Sequence, residues 1–257
     1  MIEWIESQSV AAIAFLVFGF CYALAASVLA AGMAVAARPI ASALKATTPT
    51  MMTPVSVIAG LLIAFLATRV WTNLDRANSL VAQEASAIRE SILLANALPD
   101  DARTTLKGAI HTYLSFVEAE DFPAMAANRA SLRPPPGLTD AMSALLAFRP
   151  AGPGQQVIQQ RAVAAVERAL EARRSRVLLS RTAISSVQWL VVVILDTLIL
   201  LIIAMVHVDR WITTAVNLFI FSTAIAACLV LLMVNDRPFA AGGFTVQPSA
   251  LRELANE

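Results

Sequence analysis

Charged residues are scarce in this chain. Only 14% of its 257 residues are Asp, Glu, Lys or Arg, whereas 58% are apolar. Polar side chains are too few to cover a folded chain of this composition in water, so an ordinary water-soluble protein is excluded. The formal net charge of +1 provides no excess of positive charge to attract nucleic acid, and no nucleic-acid partner is predicted.

Residues and motifs that carry catalysis or bind metals are equally sparse. The two cysteines, Cys21 and Cys228, stand in apolar stretches and should pack as small apolar groups. The two histidines, His111 and His207, have no histidine or cysteine close by in the sequence. The sequence has no C-x-x-C, no H-E-x-x-H and no glycine-rich phosphate loop. We therefore predict no enzymatic activity, no cofactor and no metal.

Four long apolar runs dominate what is present. They cover residues 10–37, 54–71, 187–206 and 212–234. Each is long enough to cross about 30 Å of hydrocarbon as a helix, so the sequence predicts four transmembrane helices in a lipid bilayer. The first run should be a retained helix, because Glu3 and Glu6 precede it instead of the basic residues of a secretory signal. The short link 207–211 predicts an antiparallel hairpin of the last two helices.

The second run is the most informative. Pro54 stands at its beginning, where a helix can start. Its small and polar residues, Ser56, Gly60 and Thr68, would be unnecessary on a helix that touches only lipid. We therefore expect this helix to pack against protein or to line a cavity.

Between the second and third runs lies a polar stretch that reads as helical almost throughout. It is rich in Ala, Leu, Arg, Glu and Gln and shows no alternating strand pattern. The predicted fold is therefore an all-α integral membrane protein, with four transmembrane helices and a helical cytosolic domain inserted between helices 2 and 3. The predicted segments are 1–72 (helices 1 and 2), 73–186 (helical domain), 187–234 (helices 3 and 4) and 235–257 (C-terminal tail).

Within the helical domain, proline marks the expected helix ends. The second membrane helix should continue to about Ala97, and a new helix should begin at Asp100 and stop at Pro123. After a triple proline, a short helix is expected over 139–148. A last helix, 155–186, should run without interruption into the third membrane helix.

Basic residues are concentrated near the membrane ends of the helical domain. They are Arg69 and Arg76 on one side and Arg173, Arg174, Arg176 and Arg181 on the other. By the positive-inside rule, this bias predicts that the domain and both termini lie in the cytoplasm. The cluster of four arginines has two interpretations: it binds anionic lipid headgroups, or it forms a solvated or salt-bridged helix face.

Two motifs resemble those of bestrophins, which are pentameric ion channels. The stretch P-V-S-x-x-x-G from Pro54 to Gly60, with T-R-x-W ending at Trp71 and an acid at Asp75, resembles their second transmembrane helix. The triplet Arg237, Pro238 and Phe239, followed by Gly242 and Pro248, resembles the turn after their last helix. Preceded by an aspartate, this turn is similar to the D-R-P-F turn of bacterial bestrophin-like proteins of uncharacterised function.

The resemblance implies a pore. In bestrophins, three apolar residues on the second helix line a narrow neck, and the alignment carries that role to Thr53, Val57 and Leu61. Their i, i+4, i+8 spacing places them on one helical face. Five copies around an axis would form stacked apolar rings, which can gate by dewetting. Because Thr53 and Val57 are smaller or more polar than the family's bulky neck residues, a wider or wetter neck is expected here.

The same resemblance implies the partners and the location. They are the lipid bilayer of a bacterial inner membrane, four further copies of the chain, and permeant small ions. Animal bestrophins conduct anions such as chloride, whereas bacterial relatives include cation channels, so the ion is left open. Animal bestrophins also bind calcium through an acidic run after the turn. Because residues 240–250 contain no carboxylate, calcium gating by that route is not expected.

Two charged residues near or within the membrane each have two interpretations. Asp196 stands near the centre of the third run, where it is either a proton or ion relay on the conduction path or a protonated carboxyl bonded to Thr197 or Asn217. Arg69 either belongs to a basic ring that attracts anions or extends to the interface.

Two other functions remain open at this stage. One is a membrane sensor or adaptor whose helical domain passes a signal, although no output module follows the last helix. The other is a small transporter that uses Asp196, although a single intramembrane acid without an inverted repeat is little support.

Overall fold

The computed structural model describes residues 9–36, 41–207, 210–240 and 245–255, with the backbone alone over 41–49. Every regular element in these ranges is helical. The α-helices are α1 (Val10–Ala36), α2 (Ala41–Ala95), α3 (Asp100–Phe116), α4 (Phe122–Ala126), α5 (Pro136–Ala147), α6 (Pro153–Ser180), α7 (Ser186–Val206), α8 (Trp211–Asn235) and α9 (Ser249–Ala255).

The four apolar runs form four long helices. α1, α7, α8 and the part of α2 from Thr50 onward are long and apolar enough to cross a membrane. This confirms the predicted all-helical fold with four long apolar helices. Glu3, Glu6, Ala37 and Gly242, which the sequence predictions also used, lie outside the described residues.

α2 is continuous over 55 residues. It begins at Ala41, so the prediction that Pro54 starts this helix is wrong. Pro54 lies in the helix interior and is exposed. A proline there has no N–H to donate to the carbonyl one turn before it, and the surrounding apolar helix accommodates that loss. The helix ends at Ala95, close to the predicted end.

The chain forms two compact units. The first includes the described residues up to Trp71 and those of Ala183–Asp236, and in it α1 packs along α8 and against α7. The Tyr22 ring stacks on Phe219 with centroids 5.3 Å apart, and its hydroxyl lies 3.0 Å from that of Thr223. Cys21 is fully buried in this core and Cys228 is exposed.

The second unit contains Thr72–Thr182 together with the described tail after Asp236. Its core is formed by the second half of α2 with α3, α5, α6 and α9. α3 and α5 cross closely at Gly137, where a Cβ would lie 2.4 Å from the Tyr113 amide nitrogen. The helix predicted over 139–148 begins three residues earlier than expected, at Pro136. Proline suits this position because its fixed φ matches the first turn of a helix.

Pro123 does not end the helix that begins at Asp100. Instead, the backbone continues as a π-helical turn over Val117–Asp121 and then as α4, with Pro123 in the first turn of α4. The wider π turn accommodates the proline at the start of a new helical segment, and Asp121, its last residue, is buried.

The predicted helix 155–186 does not run unbroken into the membrane. α6 ends at Ser180, residues 181–185 are not helical, and α7 starts at Ser186. Ser185 and Gln188 form a capping box, in which each side chain bonds the other residue's backbone N–H. The Ser185–Gln188 capping box is a local sequence signal that starts a new helix at Ser186. The prediction of one unbroken helix relied on composition, which favours helix throughout this stretch.

Candidate functional site

The predicted neck residues lie on the face of α2 that its own chain leaves uncovered. Val57 is 53% exposed and Leu61 54%, and Thr53 is also exposed. Because successive helical residues turn by about 100°, Ala59 and Leu66 point to roughly the opposite side, and both are buried. The stripe of Thr53, Val57 and Leu61 is therefore available to other subunits, to water or to lipid.

The apolar part of α2 is the least covered of the four candidate spans. Only 11% of its most apolar window is buried within the chain, against 28% for α1, 39% for α7 and 28% for α8. Gly60 and Thr68 are exposed, and among the described residues nothing lies within 4 Å of where a Cβ at Gly60 would stand. Packing within the described part of the chain therefore gives no reason for a glycine at position 60.

Asp196 is buried on the other side of α2. Its carboxylate lines a cavity of about 10 Å³ together with Ala59, Leu62 and Ile63 of α2 and with aliphatic residues of α7 and α8. It is 4% exposed, and its Oδ1 has no hydrogen-bond partner among the described residues. The expected bond to Thr197 or Asn217 is not formed; the Thr197 hydroxyl donates to the Val193 carbonyl instead. Such a cavity holds at most about one water molecule.

Arg69 is bound within its own unit. Its guanidinium donates to the Gln188 side chain at 3.0 Å and to the Ala183 carbonyl at 3.3 Å. It therefore secures the non-helical residues before α7 and the cap of that helix. Whether Arg69 also contributes to pore electrostatics stays a prediction.

Asp236, the aspartate of the D-R-P-F turn, also binds the non-helical residues before α7. Both its carboxylate oxygens accept from the Ile184 N–H, at 3.0 and 2.9 Å, and the side chain is 1% exposed. A buried carboxylate at this position satisfies a backbone donor just before α7. The aspartate of the motif could have indicated this role, although no spacing rule connects it with Ile184.

The remaining motif residues form the turn itself. The Ala240 N–H donates to the Arg237 carbonyl at 3.2 Å, and the Val246 N–H donates to the Pro238 carbonyl at 2.9 Å. Phe239 is buried, and its ring meets that of Phe122 edge-on at 5.9 Å. The turn thus anchors the described tail to the second unit. Trp71, the last residue of the α2 motif, is 41% exposed.

The four-arginine cluster is not a lipid-facing surface. Arg173 and Arg176 are 3% and 0% exposed, and Arg181 donates to the Ala130 carbonyl at 2.6 Å. Arg174 and Arg181 are exposed. The lipid-headgroup interpretation is wrong for Arg173 and Arg176. These two arginines do form salt bridges, but the salt bridges are buried and do not lie on a solvent-facing helix surface.

These ion pairs form one network. Arg176 donates to both oxygens of Glu84, at 2.8 and 3.0 Å, and to Asp121 at 3.0 Å. Arg173 is bidentate to the same Asp121, at 2.7 and 3.1 Å. The Tyr113 hydroxyl donates a short hydrogen bond to Glu84. Two positive and two negative groups are thus paired, as buried charges require.

Burial sets the protonation state of the phenol in this network. It raises the pKa of Tyr113 well above its ordinary value, and the neighbouring charge of Glu84 raises it further. Tyr113 therefore keeps its proton and remains a donor. For Arg176, burial works to lower the pKa, but the attraction of Glu84 and its neighbours raises it overall, so the guanidinium stays charged.

Comparison with known protein families matches residues 19–251 to the Bestrophin-like domain. No curated protein and no solved structure matches the chain. The matched region contains the α2 stripe, Asp196, the Arg69 and Asp236 contacts and the Arg-Pro-Phe turn, and it covers most of the sequence. The chain therefore belongs to the bestrophin-like family.

Proposed function

We propose that this protein is an oligomeric ion channel, in which each subunit turns the Thr53, Val57 and Leu61 stripe of α2 toward a central pore. The observation that carries the proposal is the pairing of one buried and one uncovered face on α2. A helix that packs through Ala59 and Leu66 leaves its opposite face for an axis shared with other copies. The proposed assembly is a ring of five such subunits; membership of the bestrophin-like family supports it, and a heterologous interface would close such a ring.

The stripe gives the proposed pore an uncharged neck. Its three side chains are a threonine, a valine and a leucine, so selectivity cannot rest on a charged ring there. The ion, anionic or cationic, would be selected elsewhere on the path. With the cytoplasmic orientation predicted by the basic flanks, the helical domain is a cytosolic vestibule in a bacterial inner membrane.

Asp196 receives no place on the conduction path in this proposal. Its cavity lies on the Ala59 and Leu62 side of α2, away from the stripe, and its other lining groups are aliphatic. The same geometry gives little support to a transporter that binds its substrate at Asp196. The cavity lining contains no second polar side chain that could bind the substrate together with this carboxyl group.

Current recording tests the proposal directly. Purified protein is reconstituted into planar bilayers, and wild type is compared with Leu61→Ala and Val57→Ala. Each truncation widens an apolar ring, so single-channel conductance or open probability should rise. Ile220→Ala is the matched control, because Ile220 is 61% exposed on α8 and is not assigned to the pore.

Equal currents from Leu61→Ala and Ile220→Ala would contradict the proposal that α2 lines the pore. Absence of current from wild type and from both α2 variants, in chloride and in potassium salts, would contradict the channel itself.

Cysteine cross-linking tests the axis independently of conduction. In a background without Cys228, a cysteine at position 57 or 61 should form disulfide-linked dimers under oxidising conditions, because identical residues of neighbouring subunits meet at a shared axis and each thiol can join one other. The comparison is Ile220→Cys, which should remain monomeric on a denaturing gel. A monodisperse monomer by light scattering, with no cross-linking at position 57 or 61, would refute the ring.

A further inference from the structure

The second unit contains a groove that the proposed channel function does not use. It lies between α3 and α9 and has a volume of about 450 Å³. Ile92, Ile110 and Leu254 are among the residues that form its apolar floor, and Arg103, Lys107 and His111 form one wall. Small-molecule sites typically have about 300–1,000 Å³, so the groove is large enough for a ligand.

The wall of the groove is basic. Arg103, Lys107 and His111 follow each other at intervals of four residues on α3 and therefore share one side of that helix. Arg103 is already engaged by Asp100 on the neighbouring turn. Lys107 is exposed, and it makes no hydrogen bond or ion pair within the described ranges. Its ammonium group is therefore available to an anion that enters the groove.

A glycine is part of the groove lining. Gly108 lies in the interior of α3 and lines the groove, and no described atom lies within 4 Å of where its Cβ would stand. Gly137 contrasts with it, because close packing against α3 leaves no room for a Cβ there. Glycine in a helix interior is unfavourable relative to alanine, and the packing of this chain gives no reason for it at position 108. Open space beside a basic wall is what a ligand requires.

We propose that this groove binds a small amphipathic organic anion, a monocarboxylate with an aliphatic tail. The carboxylate would contact Lys107 and Arg103, and the tail would cover Ile92, Ile110 and Leu254. The apolar floor sets the affinity, because each buried methylene strengthens binding by about fourfold until the groove is filled. The exposed amine supplies orientation and an attraction that salt weakens. The proposal does not depend on ion conduction.

Lysine labelling provides a local test, because the sequence contains two lysines, Lys107 and Lys45. The full chain in nanodiscs is acetylated with an amine-reactive reagent, and the labelling rate of each lysine is followed by mass spectrometry as octanoate is added. Octanoate should slow the labelling of Lys107 and not that of Lys45, with half protection on the order of 1 mM, as befits a ligand of that size. Acetate, which lacks the tail, and octanol, which lacks the charge, should protect much less.

Gly108→Leu and Gly108→Ala are the matched pair of variants. Position 108 lines the groove, so a leucine side chain there should take up part of the volume that octanoate needs, and protection should disappear. The single methyl of alanine, which has no neighbour within 4 Å, should preserve it. Three results would each overturn the proposal: equal protection of both lysines, equal protection by acetate, and undiminished protection in Gly108→Leu. Far-UV circular dichroism of both variants shows whether the fold is retained.

Discussion

The two units of this protein differ in how completely their buried polar side chains are paired. In the helical unit, Glu84, Asp121, Arg173 and Arg176 are all buried and all paired with one another. In the unit formed by the long apolar helices, Trp189 Nε1, Asp196 Oδ1 and Ser222 Oγ are buried and have no partner among the described residues. The helical unit thus satisfies its buried charges by itself, whereas the apolar unit retains unsatisfied polar atoms.

This difference teaches where each unit is sensitive to mutation. A buried and paired charge is costly to break, because the partner that remains is charged and desolvated. Substitution of a buried polar atom that makes no hydrogen bond breaks no interaction, so the free energy of unfolding should hardly change. The predictions below test this contrast, from the largest expected effect to the smallest.

Arg176→Met should be the most damaging change. It leaves Glu84 and Asp121 buried without this guanidinium, and we expect the free energy of unfolding to fall by about 3–5 kcal/mol. Hydrogen-exchange mass spectrometry should show lost protection in α3 and α6. Arg174→Met, an exposed position on the same helix, is the control and should change stability by less than about 0.5 kcal/mol.

Removing the charge of Glu84 in the Arg176→Met variant tests whether the unpaired carboxylate causes the loss of stability. If Glu84→Gln is added to Arg176→Met, part of the lost stability should return, because one unpaired charge is removed. A double variant less stable than Arg176→Met would contradict the view that the stranded carboxylate causes the loss.

Gly137→Ala should be the next largest effect. Its Cβ would lie 2.4 Å from the Tyr113 amide nitrogen and 2.5 Å from the Ala109 carbonyl oxygen, so α3 and α5 must move apart. We expect a loss of about 1–3 kcal/mol. Gly108→Ala meets open space in the same unit and should gain up to about 1 kcal/mol. Thermal unfolding of the two variants should therefore shift in opposite directions, and equal shifts would contradict the α3–α5 contact.

Asp236→Ala should have a moderate and local effect. The Ile184 N–H loses its acceptor, and we expect a loss of about 1–2 kcal/mol. Exchange of amides at the start of α7 should accelerate more than exchange in α6. Asp236→Asn, which retains one carbonyl oxygen as an acceptor, should recover part of the protection. Unchanged exchange at Ile184 in Asp236→Ala would show that this bond is not formed in solution.

Asp196→Asn should have the smallest effect on stability, although Asp196 is buried, with 4% of its surface exposed. Its Oδ1 makes no hydrogen bond among the described residues, so we expect a change below about 1 kcal/mol in detergent unfolding. Leu200→Ala, one helical turn away and fully buried, should cost about 2–5 kcal/mol and shows that the assay detects damage there. A loss above that of Leu200→Ala would reveal a bonded carboxylate and break the contrast between the two units.

Much of the fold was predictable because its signals are local in the chain. The lengths of the apolar runs predicted the four long helices, and the α2 and Arg-Pro-Phe motifs indicated the family that residues 19–251 confirm. The errors fell where a local rule competes with its surroundings. Pro54 and Pro123 were read as helix boundaries, but the flanking helices continue through or around them.

The candidate site was predictable only in part. The stripe of Thr53, Val57 and Leu61 came from the resemblance, and the structure adds that this face is uncovered, a property of how α2 packs. The sequence patterns did not indicate the contacts of Arg69 and Asp236 before α7, because no spacing rule connects either residue with the backbone groups of Ala183 and Ile184 that it binds.

The sequence by itself determined which segments are helices and which of them are apolar enough to cross a membrane, because helix formation and hydrophobicity act over neighbouring residues. Only the tertiary structure decided which charges are buried together. Glu84 and Arg176 stand 92 positions apart, and Asp121 and Arg173 stand 52 apart. An arginine on a basic helix becomes a buried ion-pair partner only when another helix places a carboxylate beside it. No periodicity in the sequence predicts such a contact between distant segments.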